Sequence, residues 1–290
     1  MNILFLGQPG SDHVPTVGGK VANLSRLAAE YRVPHGFCLT TDAFKRWASD
    51  TDEIAVLPPA FYDELSAAYD ELAEQIGEDQ PSVAVRSSAI DEDGSAASFA
   101  GQYETYLNVV GVEAIAEAIT NCWASARSER VVEYRQRYGL SQGEARVAVL
   151  VQRLVPADVS AVVFSANPVD GNREEAVINA SWGLGESIVG GTVTPDTYIV
   201  RKADGTVIDR QISEKLQMTV SVSGGTNEVG VPRFMRSQPA LNDEQAVELA
   251  GLASGLEEKL GWPVDIECAI HKGQLYLLQC RPITTLDQSG

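Results

Sequence analysis

Four polar side chains recur at two-residue spacing in two neighbouring apolar segments near the C-terminus. Asp265 and Glu267 lie in the first segment, and Gln279 and Arg281 lie in the second. The connecting residues 271–273 end in glycine and are typical of a three-residue β-hairpin loop. Because side chains alternate between the two faces of a strand, this hairpin would place all four polar groups on one face.

The same loop predicts the register of the hairpin, with Asp265 opposite Gln279 and Glu267 opposite Leu277. The other face is then apolar and consists of Ile266, Cys268, Tyr276 and Leu278. On the polar face, two adjacent carboxylates repel each other. A hard divalent cation would relieve that repulsion and would also accept the amide oxygen of Gln279. The alternative is a solvated face on which Arg281 forms a salt bridge.

A possible anion site is Gly18-Gly19-Lys20, which opens a segment with apolar residues at helical spacing. Such a start would place backbone amides and an ammonium group at the positive end of a helix. It is not a Walker loop, since Val14 and Val21 stand where that motif has its first glycine and its Ser or Thr. The alternative is a glycine turn with a solvated lysine.

A second cationic group, Arg86, follows the short apolar run that begins at residue 82 and precedes two serines. The planar guanidinium group suits phosphate oxygens. Small residues and glycines dominate residues 91–102, a composition that fits a flap over a bound phosphate. The alternative is an exposed loop in which Arg86 balances the nearby acids.

Helices and strands alternate along the chain and must position these groups, which indicates a mixed α/β protein. Residues 58–76 and 242–260 show helical spacing of apolar residues. Residues 147–155 form a continuous apolar run, typical of a strand that is buried on both faces. We place a hinge after that strand, with one domain at residues 1–155 and a second at residues 156–290.

Composition excludes several classes of partner. A net charge of −18 on 290 residues argues against nucleic-acid and membrane-surface partners, because both are anionic. The four cysteines form no C-x-x-C pair, and the N-terminus lacks the basic region of a signal peptide. We therefore expect a cytoplasmic protein with no membrane segment.

Six motifs occur in an order that is more specific than any one of them alone. They are Gly18-Gly19-Lys20, residues 85–89, 98–105, 151–155 and 165–168, and Gln279-Cys280-Arg281-Pro282. Together they resemble the N-terminal nucleotide-binding domain of the phosphoenolpyruvate synthase, pyruvate phosphate dikinase and rifampin phosphotransferase family. The resemblance implies an ATP-grasp fold, in which two α/β lobes hold the nucleotide in the cleft between them.

Carried over to this sequence, the resemblance implies ATP and Mg²⁺ as cofactors. It assigns Lys20 and Arg86 to the phosphates and Gln152 to the adenine edge. Gly101 and Thr105 would lie along the phosphate path under the flap.

In the C-terminal hairpin, the resemblance implies that Glu267 and Gln279 hold Mg²⁺ and that Asp265 supports them. Arg281 would neutralise charge during phosphoryl transfer, a reaction that depends on fixed cations and donors. Lys20, Arg86 and Arg281 are therefore the expected catalytic residues.

The function that the resemblance implies is ATP-dependent transfer of a phosphoryl or pyrophosphoryl group to a histidine, with release of AMP. His13, His35 and His271 match no carrier motif. We therefore expect a stand-alone chain that works with a phosphohistidine carrier protein or an acceptor-binding subunit in trans. Two alternatives stay open: a stand-alone ATP-grasp kinase or ligase with a small-molecule acceptor, and a non-catalytic nucleotide-binding module. The acceptor and the oligomeric state are also open.

Overall fold

The computed structural model describes residues 2–48, 57–90, 104–128, 131, 133, 146–283 and 286. It divides into two compact units. The first unit contains Met1–Leu154 and Val222–Gly225, and the second contains Val155–Ser221 and Thr226–Gly290. That these units are the two lobes of a nucleotide-binding protein stays a prediction.

The first unit is built on a five-stranded antiparallel sheet in the order β1-β2-β5-β3-β4. Its strands are β1 (Ile3–Phe5), β2 (Gly36–Leu39), β3 (Val83–Ala89), β4 (Thr105–Val109) and β5 (Val147–Arg153). The helices among its described residues are α1 (Val14–Leu27), α2 (Thr41–Trp47), α3 (Pro59–Ile76) and α4 (Val112–Ser125).

The two faces of this first sheet have different partners. Val83, Val85 and Val151 belong to the main core, where they pack with aromatic and aliphatic residues of α2, α3 and α4. Residues at alternate positions point to the opposite face, where Ser88 contacts α1. The face toward α1 is therefore the one that carries Arg86.

The second unit contains a six-stranded antiparallel sheet in the order β13-β12-β6-β7-β8-β9. Its strands are β6 (Val159–Phe164), β7 (Glu175–Trp182), β8 (Asp196–Arg201), β9 (Thr206–Gln211), β12 (Val264–His271) and β13 (Gln274–Pro282). A separate two-stranded sheet is formed by β10 (Gln217–Val222) and β11 (Gly225–Gly230). The helices are α5 (Glu186–Val189) and α6 (Asp243–Leu260).

Helix α6 packs on one face of the second sheet and leaves the other face for polar groups. Asn242 begins the helix with a capping box in which Asn242 and Gln245 bond each other's backbone amides. The helix buries Leu249, Ala253 and Leu256, and strands β6, β7 and β12 supply residues such as Ile178 and Ile266 to the same side. The predicted α/β class is confirmed. None of the described helices combines the length and apolar character needed to cross a bilayer.

Candidate functional site

The turn of the C-terminal hairpin differs from the one predicted. His271 pairs with Gln274, so the loop contains two residues, Lys272 and Gly273. Their φ angles are 50° and 74°, both in the left-handed region that a type I′ turn requires. The predicted three-residue loop is therefore wrong. A lysine rarely adopts positive φ, which is why the sequence favoured a loop with only glycine in that conformation.

A β-bulge then changes the register a second time, between Glu267 and Cys268. Beyond the bulge, Asp265 lies directly opposite Arg281, and Glu267 lies directly opposite Gln279. The predicted pairs of Asp265 with Gln279 and of Glu267 with Leu277 are therefore wrong. The prediction that these four polar residues share one face is confirmed, because directly paired residues point the same way.

The apolar face of the hairpin also needs correction. Tyr276 lies opposite Ala269, on the polar side, and Leu278 is the extra residue of the bulge. Leu277 takes the expected apolar position and is buried. The buried residues on the face toward α6 include Ile266, Cys268, Ile270, Leu277 and Cys280.

Asp265 has the most constrained carboxylate of the hairpin. Arg281 donates from Nε to the Oδ2 atom of Asp265 at 2.8 Å, and the Nη2 atom forms an ion pair with the same oxygen at 2.7 Å. The other oxygen, Oδ1, is buried and accepts no hydrogen bond from the described residues. Burial raises the pKa of Asp265 above its ordinary value, the Arg281 guanidinium opposes that rise, and the nearby Glu267 carboxylate adds to it. A buried carboxylate oxygen without a partner is costly, and a cation would satisfy it.

The donor set around Asp265 fits Mg²⁺. Asp265 and Gln279 are each only 6% exposed, so these two side chains are not solvated, although the salt bridge of the alternative is present between Arg281 and Asp265. No cluster of three or more His, Cys, Asp or Glu side chains suited to a metal occurs among the described residues. A cation at this hairpin would therefore take oxygen ligands from Glu267, Gln279 and Asp265. Phosphate oxygens and water would complete its shell, as is common for Mg²⁺.

In the first unit, α1 is broken at Gly18, which has a φ of 75° and a ψ of 168°. The sequence predicted a helix from Lys20 onward, whereas α1 already begins at Val14 and resumes after this break. A Cβ atom at Gly18 would lie 2.2 Å from the backbone oxygen of Ser88, so only glycine fits.

Ser88 connects the two parts of the broken helix, a role that sequence reasoning did not predict. Its hydroxyl donates to the Val17 carbonyl at 2.8 Å and accepts from the Val21 amide at 3.3 Å. A helical segment thus begins beside the end of β3, with Lys20 in its first turn. This is the local arrangement in which a helix N-terminus favours an anion.

Three of the predicted phosphate residues come together at this point. Lys20 donates to the carbonyl oxygen of Ser87 at 2.9 Å and is only 6% exposed, so the alternative of a solvated lysine is wrong. Arg86 immediately precedes Ser87 and lies directly opposite Thr105 in the neighbouring strand. Gly101 and the predicted flap lie outside the described residues.

Gln152 lies on the same face of the first sheet. It is paired with Ala84 on one side and Gly36 on the other, and only 2% of it is exposed. Its Nε2 atom donates to the Pro34 carbonyl at 3.1 Å, and no other hydrogen bond to its side chain occurs within the described part of the chain. The Oε1 atom is therefore still able to accept a hydrogen bond, as recognition of an adenine amino group requires.

A protein-family model matches most of this chain. Residues 53–290 match the family described as Pyruvate phosphate dikinase, AMP/ATP-binding domain. The chain belongs to this family. The resemblance drawn from the sequence motifs is therefore confirmed, and membership of the family implies the ATP-grasp fold.

Several curated relatives of this ATP-binding domain are similar over almost the whole chain. A probable phosphoenolpyruvate synthase of Pyrococcus horikoshii is 36% identical over 96% of the chain and 43% of its own length. A rifampicin phosphotransferase of Streptomyces sviceus is 40% identical over 98% of the chain and 36% of its own length. An uncharacterized phosphotransferase of Bacillus subtilis is 41% identical over 93% of the chain and 34% of its own length. The chain thus spans less than half the length of these relatives.

Among solved structures, D-alanyl-alanine synthetase A from Vibrio cholerae aligns with 93% of this chain and 62% of its own chain. The identity is 15% and the TM-score is 0.35. At that score the likeness carries neither geometry nor function from one protein to the other.

Sequence reasoning passed over one further polar pair, Asn179 and Thr197 in the second sheet. Thr197 Oγ1 donates to Asn179 Oδ1 at 3.0 Å. Both residues are distant in sequence from the hairpin. Only the order of the strands shows that they lie on the same face of the sheet as its polar residues.

Proposed function

We propose that the chain is an ATP-dependent phosphotransferase component that transfers a pyrophosphoryl group from ATP to a histidine on a separate protein or domain. The observation that carries the proposal is the buried Asp265 carboxylate. One of its oxygens is paired with Arg281, and the other lacks a partner among the described residues, beside the Glu267–Gln279 pair. This arrangement suits a divalent cation bound to polyphosphate better than it suits an unliganded surface.

The residues of the first unit would bind the nucleotide directly. Lys20 and Arg86 would bind phosphate oxygens, and Thr105, directly opposite Arg86, would lie along the phosphate path together with Gly101. Gln152 would accept a hydrogen bond from the adenine amino group through Oε1, since its Nε2 atom is already bonded to Pro34.

In the second unit, Glu267 and Gln279 would hold Mg²⁺, with Asp265 in support. When bound, the ion would supply positive charge against the phosphate oxygens. Arg281 is kept in place by its hydrogen bond and ion pair with Asp265 and would stabilise charge on the transferred group.

The proposed reaction is the attack of an imidazole nitrogen of the acceptor on the β-phosphorus of ATP. A nitrogen–phosphorus bond forms, the bond from the β-phosphorus to the AMP oxygen breaks, and AMP leaves. The residues of this chain contribute fixed charges and donors, which is the main requirement of phosphoryl transfer. All four cysteines are free and buried, and we place the reaction in the reducing cytoplasm.

The test supplies Mg-ATP to the chain together with the histidine-bearing domain of one of the longer relatives, and the adenine nucleotides are separated by chromatography. We expect AMP to be released only when both proteins are present and the carrier histidine is intact. Release of ADP alone would contradict the proposal. Release of ADP without a carrier would favour a kinase that acts directly on a small molecule.

A further inference from the structure

A polar row runs across the second sheet on the face opposite α6. Directly paired residues place Gln279, Glu267, Val162, Asn179 and Thr197 side by side on five successive strands. Because directly paired residues point to the same side of a sheet, the Asn179–Thr197 pair shares the face of the proposed metal ligands.

Only Val162 separates Glu267 from Asn179 in this row. Neighbouring strands lie about 4.8 Å apart, so the Glu267 and Asn179 backbones are separated by roughly 10 Å. Val162 is shorter than the two polar side chains beside it and is only partly buried. A phosphate group or a hydrated ion would therefore be able to approach this part of the face.

Asn179 is an unusual residue for its position. Asparagine is disfavoured in the interior of strands. Its neighbours on the same face are the apolar Val162 and Val177 and the polar Thr197 and Ser181. A departure from local preference of this kind is expected where a residue has a function.

The hydrogen bonding of Asn179 leaves one end of its amide available. Thr197 donates to Oδ1, which fixes the orientation of the side chain. The Nδ2 group has no hydrogen-bond acceptor among the described residues. A half-buried amide with two available N–H donors, next to a row of proposed metal ligands, is complementary to an anion.

We propose that Asn179 is a further polyphosphate-binding residue, which donates a hydrogen bond from Nδ2 to an oxygen of the β- or γ-phosphate of ATP. Thr197 is its positioning residue. This inference rests on the proposed function, because it requires that the hairpin holds the metal and the terminal phosphates. It adds to that function a phosphate contact from residues on β7 and β8, away from the hairpin.

The test is isothermal titration calorimetry of the intact chain with Mg-ATP and with AMP, which lacks the β- and γ-phosphates. We expect Asn179→Ala to bind Mg-ATP roughly tenfold more weakly, since a hydrogen bond to a charged group is lost. Asn179→Asp should bind still more weakly, because its carboxylate repels phosphate. The AMP affinity of both variants should stay within about twofold of the wild-type value.

Thr197 is tested by a pair of variants. Thr197→Val removes the hydroxyl group and should give part of the Mg-ATP loss of Asn179→Ala, whereas Thr197→Ser retains the hydroxyl and should restore the affinity. Ser181→Ala is the matched control. Ser181 lies two residues along β7 on the same face, and its hydroxyl bonds none of the described residues.

The outcomes separate this inference from the function on which it rests. If the wild-type chain does not bind Mg-ATP, the proposed function fails and the inference fails with it. If the wild-type chain binds and Asn179→Ala binds equally well, the inference alone is overturned. Equal losses for Mg-ATP and AMP, or a lowered melting temperature without ligand, would show a structural role and would also overturn it.

Discussion

The proposed binding residues of the two units carry opposite charges. In the first unit, Lys20 and Arg86 are cations beside a helical start, so they are able to hold a phosphate directly. In the second unit, Asp265 and Glu267 are acids, and Arg281 offsets only a single charge. These acids would repel a phosphate unless a divalent cation lies between them and its oxygens.

This contrast indicates where metal dependence should reside. Substitutions among the cations of the first unit should weaken ATP binding with or without Mg²⁺. Substitutions among the acids of the second unit should weaken it only when Mg²⁺ is present. Of the substitutions below, Gly18→Ala tests the local structure of the first unit, and the others test ligand binding on one side of the contrast.

The largest effect is expected from Gly18→Ala, which disrupts the close contact of α1 with Ser88 beside the proposed phosphate residues. The new methyl group would meet the Ser88 carbonyl at 2.2 Å, and the φ of 75° is unfavourable for alanine. We expect a loss of roughly 3 kcal/mol or more in the free energy of unfolding, measured by urea denaturation.

Gly10→Ala is the matched control for this substitution. Gly10 has a φ of 90°, but no atom lies within 4 Å of the position that an added methyl group would take, so only the conformational cost applies. That cost is about 1 kcal/mol. Equal losses for the two variants would show that the contact between Gly18 and Ser88 is unimportant.

Lys20→Met should have the next largest effect, on ligand binding. The buried ammonium group is replaced by an uncharged chain of similar length, so direct attraction to phosphate is lost. We expect ATP affinity to fall by about 2–3 kcal/mol, or roughly 30- to 150-fold, both with and without Mg²⁺. Lys45→Met, at an exposed lysine of α2, should leave the affinity unchanged. A loss seen only in the presence of Mg²⁺ would contradict the direct role of Lys20.

Asp265→Asn should have a smaller effect on ATP affinity, and that effect should appear only when Mg²⁺ is present. Burial raises the pKa of this carboxyl, so its charged form opposes folding at neutral pH. The amide of asparagine removes that cost, but it also removes the negative charge that pairs with Arg281. We therefore expect the ligand-free stability to change by no more than about 1 kcal/mol. The ATP affinity in Mg²⁺ should fall about tenfold.

The control for Asp265 is Asp204→Asn in the same unit. Asp204 also accepts a hydrogen bond from an arginine, Arg201, but it lies in an exposed turn. The ATP affinity of the Asp204→Asn variant should match that of the wild-type chain. If Asp265→Asn also matched the wild-type affinity in Mg²⁺, Asp265 would have no part in metal binding.

The sequence predicted the faces of the hairpin better than its register. Alternation along each strand was sufficient to place Asp265, Glu267, Gln279 and Arg281 on one side. The register depended on the positive φ of Lys272 and on a bulge beside Glu267. Neither feature has a local signal in the sequence, and β12 also has to align with β6 on its other edge.

The first unit shows a similar limit of local reasoning. The residues Gly18-Gly19-Lys20 indicated the start of a helix, but that motif gave no signal for the helical turn that precedes it, which begins at Val14. The hydroxyl of Ser88 stabilises that turn from a distant strand. The Asn179–Thr197 pair was missed for the same reason, since its proximity to the hairpin follows from the order of strands rather than from spacing in sequence.

The most direct test of the contrast between the units is the Mg²⁺ dependence of ATP affinity, measured by calorimetry in the wild-type chain, Lys20→Met and Glu267→Gln. We predict that Mg²⁺ strengthens binding at least about tenfold in the wild-type chain and by a similar factor in Lys20→Met, although the latter binds more weakly throughout. In Glu267→Gln, Mg²⁺ should have almost no effect. If Glu267→Gln retained the full response to Mg²⁺, the hairpin would not be the metal site and the assignment of metal dependence to the second unit would be wrong.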